Sequence, residues 1–536
     1  MKKLFYLFGF ALFACGVANA NPGDTTWAQS HTDVQMTSFG AFDAPIAFPN
    51  GSLSYRRIYM IFELGKYQCP GNPQYCYDWD YDVSTLLMPA TGDTVELGRL
   101  ITPYADHTLG ARMSATWKGK YVFDVTDFYP VLKNNATIRV QFNGYSYGFT
   151  ATVKFAFIEG TPERNVVGMQ KAWRGSYNYG HGPVDINTAL GEVTFTAPTG
   201  TVTAESKFLI TGHGGDATAN AAEFYPNSYT MNLNKSLLVT QSFWRDNCGF
   251  NNYYPQNGTW VYDRASWCPG DLVHHYTHLL PGVTANNTFT TSVTFPSYTS
   301  NPSSSGSQAG YKIQNLIFYY GALNKTTDAS LEDIIAPTND EKHFRENPFV
   351  GKPKVTVRNS GSTAITSIKF EYGVDGQPLQ QYTWSGNINS LENAEIALAD
   401  CISLQTATGS NNKFIVKIME VNGQADQDAT NDNLVSYFTA APKWNANFVI
   451  EMRTNGQVSG GVSENNWKIY DVNDNLVMQR SNNTPQTTYK DTVRLAGGPH
   501  KLVVEDAGCD GMNWWVFQHY NPNPGAASIK VTGPTS

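Results

Sequence analysis

Charge is scarce in this chain and is nowhere concentrated. Only 15% of residues are charged, the net charge is −8, and no basic run exceeds two residues, which argues against a nucleic-acid backbone as partner. Long 3.6-residue apolar periodicities are almost missing as well, so helices contribute little. Past the first twenty-odd residues no apolar run approaches membrane length, so no transmembrane segment is expected. What is abundant is Gly, Asn, Thr and Tyr, with aromatics at 13%. Short alternating runs bounded by turn residues recur: "ATIRVQF" (136–142), "KFLITG" (207–212), "TFTTSVTF" (288–295) and "NKFIVKIMEV" (412–421). That pattern predicts an all-β protein built of sandwiches. At 536 residues the chain is too long for one core, and three or four domains are expected.

The N-terminus "MKKLFYLFGFALFACGVANA" has two lysines, an apolar core and the small-residue site Ala18-Asn19-Ala20, and reads as a secretory signal peptide over 1–20. Cys15 after Leu12-Phe13-Ala14 loosely resembles a lipoprotein cleavage site, but Phe13 fits it poorly. Simple export, to the medium, the periplasm or the cell surface, is the reading. Six cysteines follow, and export permits disulfides. Cys69 and Cys76 enclose a short loop and Cys248 and Cys268 a longer one, so local pairing within each is expected; Cys401 and Cys509 stay unassigned. Composition shifts suggest β domains over 25–157 and 158–324, a polar, proline-punctuated linker over 325–339, an immunoglobulin-like module over 340–441 and an accessory β-sandwich over 443–536. The default oligomeric state is a monomer.

The stretch "CYDWDYDV" (76–83) alternates Asp78, Asp80 and Asp82 with Tyr77, Trp79 and Tyr81. As a β-strand it would present three carboxylates on one face and three rings on the other. Such a face is either a charged edge that blocks aggregation or a carboxylate site above an aromatic floor, which suits a carbohydrate.

The motifs "CPGNPQYCYDWDYDV", "ELGRLITPY", "DVTDF", "TGHGG", "AAEFYPNSYTMNLN" and "GTWVYDRASWCPGD" occur in order over residues 40–324. Together they resemble the peptide-N-glycosidase F family, bacterial amidases that remove N-linked glycans. The resemblance implies two side-by-side eight-stranded antiparallel jelly rolls with the active site between them. It implies hydrolysis of the amide joining asparagine to the first N-acetylglucosamine of glycosylated proteins or peptides, with no cofactor and no metal. Asp80 matches the family's primary catalytic aspartate and Glu223 its second-half glutamate. Trp79, Arg264 and His213 match a motif tryptophan, a cleft arginine and the histidine of the "GH" turn. Without the resemblance, Glu223 would read as a solvated strand residue, Arg264 as a surface ion-pair partner and His213 as a satisfied turn histidine.

The chain also departs from the family. Ungapped counting puts the third acid on Asn143, whose amide can hydrogen-bond but cannot carry the charge. The aromatic just beyond is Tyr145, the arginine after the catalytic aspartate is Tyr81, and the cysteines flanking the glutamate become Ala221 and Tyr225. Asp82, two residues from Asp80 and about 7 Å away on one strand face, is expected to supply the missing carboxylate. Two further readings stand beside the amidase: a glycan-binding protein on the same fold, and a related jelly-roll enzyme using copper through His274 and His278 of "LVHHYTH". The acidic loops "DQDATNDN" and "EDAGCDG" lack the EF-hand glycine and glutamate and read as hydrated turns.

Overall fold

The computed structural model of the chain describes residues 23–67, 69, 76, 79–105, 116–146, 148–253 and 256–533. The expected signal peptide, Cys15 and Asp78 lie outside them. Strand alternation dominates what is described. In Lys118–Asp124 the residues Gly119, Tyr121 and Phe123 are buried while the lysines and Val122 face out, the period of two that a one-sided sheet requires.

The first unit comprises β1 (Thr25–Met36), β2 (Ala41–Ala47), β3 (Tyr55–Lys66), β4 (Asp82–Pro89), β5 (Val95–Ile101), β6 (Lys118–Asp124), β7 (Asn135–Phe142) and β8 (Phe149–Glu159). They form two antiparallel sheets, ordered β1-β8-β3-β6 and β2-β7-β4-β5, which is the jelly-roll arrangement. The second repeats it with β9 (Arg164–Asn178), β10 (Val193–Thr196), β11 (Thr203–His213), β12 (Ser228–Leu233) and β13 (Ser236–Ser242). A two-residue ribbon follows, β14 (Trp244–Arg245) with β15 (Arg264–Ala265), and then β16 (Tyr276–Leu279), β17 (Thr288–Thr294) and β18 (Gly310–Leu323). Its sheets run β16-β11-β18-β9 and β10-β17-β12-β13. β8 extends to Glu159, two residues past the boundary expected at 157.

The jelly rolls share a core. Leu316, Phe318 and Tyr320 of β18 pack into the first unit's apolar cluster. Buried polar groups from both units are hydrogen-bonded across the junction. The Gln314 amide donates to Glu96 O and accepts from Glu96 N, both at 2.7 Å. Arg99 donates to both Glu96 oxygens and to Thr211 Oγ1 and Lys312 O. Residues 270–273 add backbone hydrogen bonds to the β5 segment, including Ile101 N–H to Asp271 O at 2.9 Å.

Residues 329–336, expected in a linker, instead form β19 (Ala329–Ala336), paired antiparallel with β20 (Lys354–Asn359). Ala329, Leu331 and Ile334 bury in the core of a third sandwich of three- and four-stranded sheets. The acid-rich centre and the proline behind "ASLEDIIAP" conceal that alternation. Glu163, just before β9, accepts from Arg57 of β3 at 2.6 Å and from Arg358 of β20 at 2.6 and 3.0 Å, tying the first and third sandwiches together. A last sandwich of two three-stranded sheets closes over Ile450, Met452, Trp467, Ile469 and Val493. It sits against the second jelly roll: a Cβ placed on Gly249 would fall 2.6 Å from both Cβ and O of Cys509, and the rings of Tyr262 and Trp514 are 6.2 Å apart.

Candidate active site

The acidic stretch is not a strand throughout. β4 begins only at Asp82, and Trp79, Asp80 and Tyr81 precede it in irregular backbone, downstream of the Cys69–Cys76 disulfide. Thr102 fixes this stretch: its hydroxyl accepts from Tyr81 N–H at 2.8 Å and donates to Trp79 O at 2.7 Å, and its N–H donates to Tyr81 O at 2.9 Å. Tyr81 is buried edge-on to Phe142 and Tyr145, each 5.3 Å away. Asp80 and Asp82 therefore enter different surroundings, which corrects the expectation of one shared carboxylate face.

Asp80 meets the second jelly roll at Arg264. The β14–β15 ribbon is closed by the Cys248–Cys268 disulfide, and Ala265 N–H donates to Glu223 O at 2.9 Å, bringing Glu223 beside the arginine. The fully buried guanidinium makes five hydrogen bonds. Nε donates to Glu223 Oε1 at 3.2 Å and Nη2 to Asp80 Oδ2 at 3.2 Å. The rest go to Thr259 Oγ1, Thr259 O and Tyr262 O at 2.8–2.9 Å. That matches the donor count of an arginine side chain. Phe224 and Trp267 lie 4.9 and 4.8 Å from its central carbon. Arg264, an ordinary surface residue on sequence terms alone, is the joint of the cleft.

The two acids are unequal. Burial leaves the Asp80 carboxyl raised above its ordinary value, although Arg264, the Tyr104 hydroxyl and its own N–H each stabilise its charged form and offset part of that rise. Glu223 is 21% exposed and has Arg264 as its one charge-stabilising partner; burial and the Asp80 charge push its carboxyl up to about 8. Unequal support of this kind drives the two carboxyls apart, with Glu223 the one that keeps its proton at neutral pH. Trp79 and Tyr145, 37% and 46% exposed, present rings 6.0 Å apart at the rim, with Tyr104 6.2 Å from Trp79. Nothing beyond "ITPY" and "GTW" in the sequence signalled Tyr104 and Thr259.

Asp82 takes part in a second cluster. Its Oδ2 accepts from Lys312 Nζ and, at 2.8 Å, from Asn143 Nδ2, and Lys312 also donates to Ser84 Oγ at 2.8 Å. The lysine holds the Asp82 carboxyl well below the usual range despite burial. Asp82 is thus bound to an ammonium and an amide rather than supplying a carboxylate beside Asp80. His213, hydrogen-bonded to Thr211 Oγ1 at 2.7 Å and stacked 6.0 Å from Trp267, is pushed down to about 4 by burial and stays neutral. Asp82, Asn143, His213 and Lys312 line a groove of about 540 Å³ between the jelly rolls. The histidines of "LVHHYTH" diverge: His278 is buried against the Tyr229 hydroxyl at 2.7 Å, whereas His274 is exposed.

Residues 184–317 match the model of the C-terminal domain of peptide-N-glycosidase F. The chain is 26% identical over 313 residues to the peptide-N(4)-(N-acetyl-beta-D-glucosaminyl)asparagine amidase F of Elizabethkingia miricola, covering 54% of this chain and 82% of that one. It is 24% identical to the solved PNGase F, a glycosylasparaginase from Flavobacterium meningosepticum, over 56% of this chain and 96% of that one, with a TM-score of 0.47. PNGF-II is 15% identical over 55% of this chain and 65% of its own, with a TM-score of 0.43. The matched segment carries Glu223, Arg264 and the "DRASWCPG" motif, and the chain stands in a family relationship with peptide-N-glycosidase F.

Proposed function

We propose that the chain hydrolyses the amide between an asparagine side chain and the first N-acetylglucosamine, releasing N-linked glycans from glycoproteins or glycopeptides and leaving aspartate. The arrangement that carries this reading is the Asp80–Arg264–Glu223 bridge, one guanidinium holding a carboxyl from each side of the cleft. Amide cleavage needs a base for water and a proton for the departing nitrogen. Asp80, supported by Arg264 and Tyr104, is the base. Glu223, held protonated, supplies the proton, and Arg264 keeps both in place. Trp79 and Tyr145 offer faces on which a sugar ring can stack. The two disulfides suit an oxidising compartment, in keeping with export.

The test is mass spectrometry of N-glycopeptides incubated in water enriched in heavy oxygen, with Asp80→Asn alongside. Release of the intact glycan with one heavy oxygen in a new aspartate is expected, slowed by about a hundred- to ten-thousand-fold in the variant. No conversion across high-mannose, complex and fucosylated glycans would refute the amidase reading in favour of glycan binding.

A further inference from the structure

In the last sandwich, Glu464, Asp506 and Asp510 converge, with one carboxylate oxygen from each within 4.8 Å of those from the others. The sequence had suggested a hydrated turn at Asp506 and Asp510; it did not bring in Glu464, which sits just before the strand Asn465–Asp471. Two of the three are buried, Glu464 at 5% exposed and Asp510 at 8%, and Asp506 is half-buried. Among the described residues, no ion pair involves any of the three.

Neutral donors orient two of them. The Asn455 amide donates to Glu464 Oε1 at 2.7 Å, and the Asn465 amide and Gly511 N–H donate to Asp506 at 3.0 and 2.9 Å. Asp510 is different. Its Oδ1 is buried and accepts no hydrogen bond, an expensive arrangement unless something else takes that lone pair. Gly508 leaves the space open, since a Cβ there would lie 2.5 Å from Glu464 Oε2 and 3.5 Å from Asp510 Cγ.

The geometry points to a calcium site formed by Glu464, Asp506 and Asp510. Three crowded carboxylates, two of them buried, repel one another when ionised, and a cation between them relieves that repulsion. An all-oxygen set with several carboxylates and no nitrogen or sulfur ligand suits a hard ion that accepts many oxygens, calcium before magnesium or zinc. The site lies outside the amidase cleft, and the inference is independent of the proposed reaction.

The experiment uses the full chain stripped of metal with a chelator, titrated with calcium chloride by calorimetry and melted with and without the ion. A bound calcium is expected that Asp510→Asn and Glu464→Gln each weaken at least tenfold, with the melting midpoint raised by calcium in the unaltered protein and unmoved in the variants. At a pH alkaline enough to ionise all three carboxyls, metal-free Asp510→Asn should melt above the metal-free parent, because one of three mutually repelling charges is gone; this readout shows that the variant folds. Absence of calcium binding by the parent, undiminished binding in both variants, a lower metal-free midpoint for Asp510→Asn, or full reproduction of the effect by magnesium would each overturn the assignment.

Discussion

At the Asp80–Arg264–Glu223 bridge one guanidinium faces two carboxyls, so the protonation of Glu223 is tied to the charge on Asp80. The Glu223 carboxyl sits at about 8 in the folded protein against an ordinary value of 4.5. Between those values the folded chain holds a proton that the unfolded chain has released. The stability contributed by this group is therefore complete below the lower value and is lost as pH rises through the upper one. Urea melts should show the unaltered protein losing more stability than Glu223→Gln between about pH 5 and about pH 9. In the proposed reaction the rate falls on an alkaline limb near the same upper value, because the donor has lost its proton. An equal pH dependence of stability in both proteins would show that Glu223 carries no such proton. Asp80 was singled out by the local motif "CYDWD", and the structure sets it against Arg264. The pairing of Asp82 was not legible, since Lys312 stands 230 residues away and nothing near Asp82 announces it.

The paired central strands β4 and β7 show how an element decides what a substitution can do. Asn143, immediately after β7, donates its side-chain amide to Asp82 at the head of β4. Placing the family's acid here by Asn143→Glu sets a second carboxylate against Asp82, with Lys312 as the one ammonium bonded there. The substitution should cost about 1–3 kcal/mol of stability, the range for an uncompensated buried polar group. Asp82→Asn in the same chain should recover most of it, and a double-mutant cycle measured by denaturant melts reads the coupling directly. Additive effects would mean that the two side chains do not interact. Elements with simple alternation, such as β6 and β7, were legible because one face had to be buried. The stretch before β4 was misread because period two is also what alternating aromatics and acids produce in irregular backbone held by Thr102. β19 was missed because acids at its centre and a proline behind it mimic a linker.

Across the whole molecule, the sandwiches are held together by buried polar contacts as much as by apolar ones. Glu163 gathers Arg57, Arg358 and the Ser360 hydroxyl from two sandwiches into one charged knot. Glu163→Ala removes the carboxylate that Arg57 and Arg358 share, leaving Arg57 with Glu332 at 3.2 Å, and breaking a buried pair typically costs up to about 3–5 kcal/mol. Scanning calorimetry should then resolve the third sandwich as a separate, earlier transition. A single transition shifted as a whole would mean that other contacts hold the junction. The all-β class and the paired jelly rolls were legible at this scale. The way the last sandwich rests on the second jelly roll was not, because its contacts join loops whose residues carry no pattern.

That resting contact leaves a mark on the chain's possible history. Gly249 has no room for a side chain because Cys509 of the last sandwich occupies the place a Cβ would take. A lineage that keeps the appended sandwich is bound to glycine at this position. One that sheds it is released, and residue 249 can drift. A single codon in the second jelly roll thus reports whether the last sandwich is still attached.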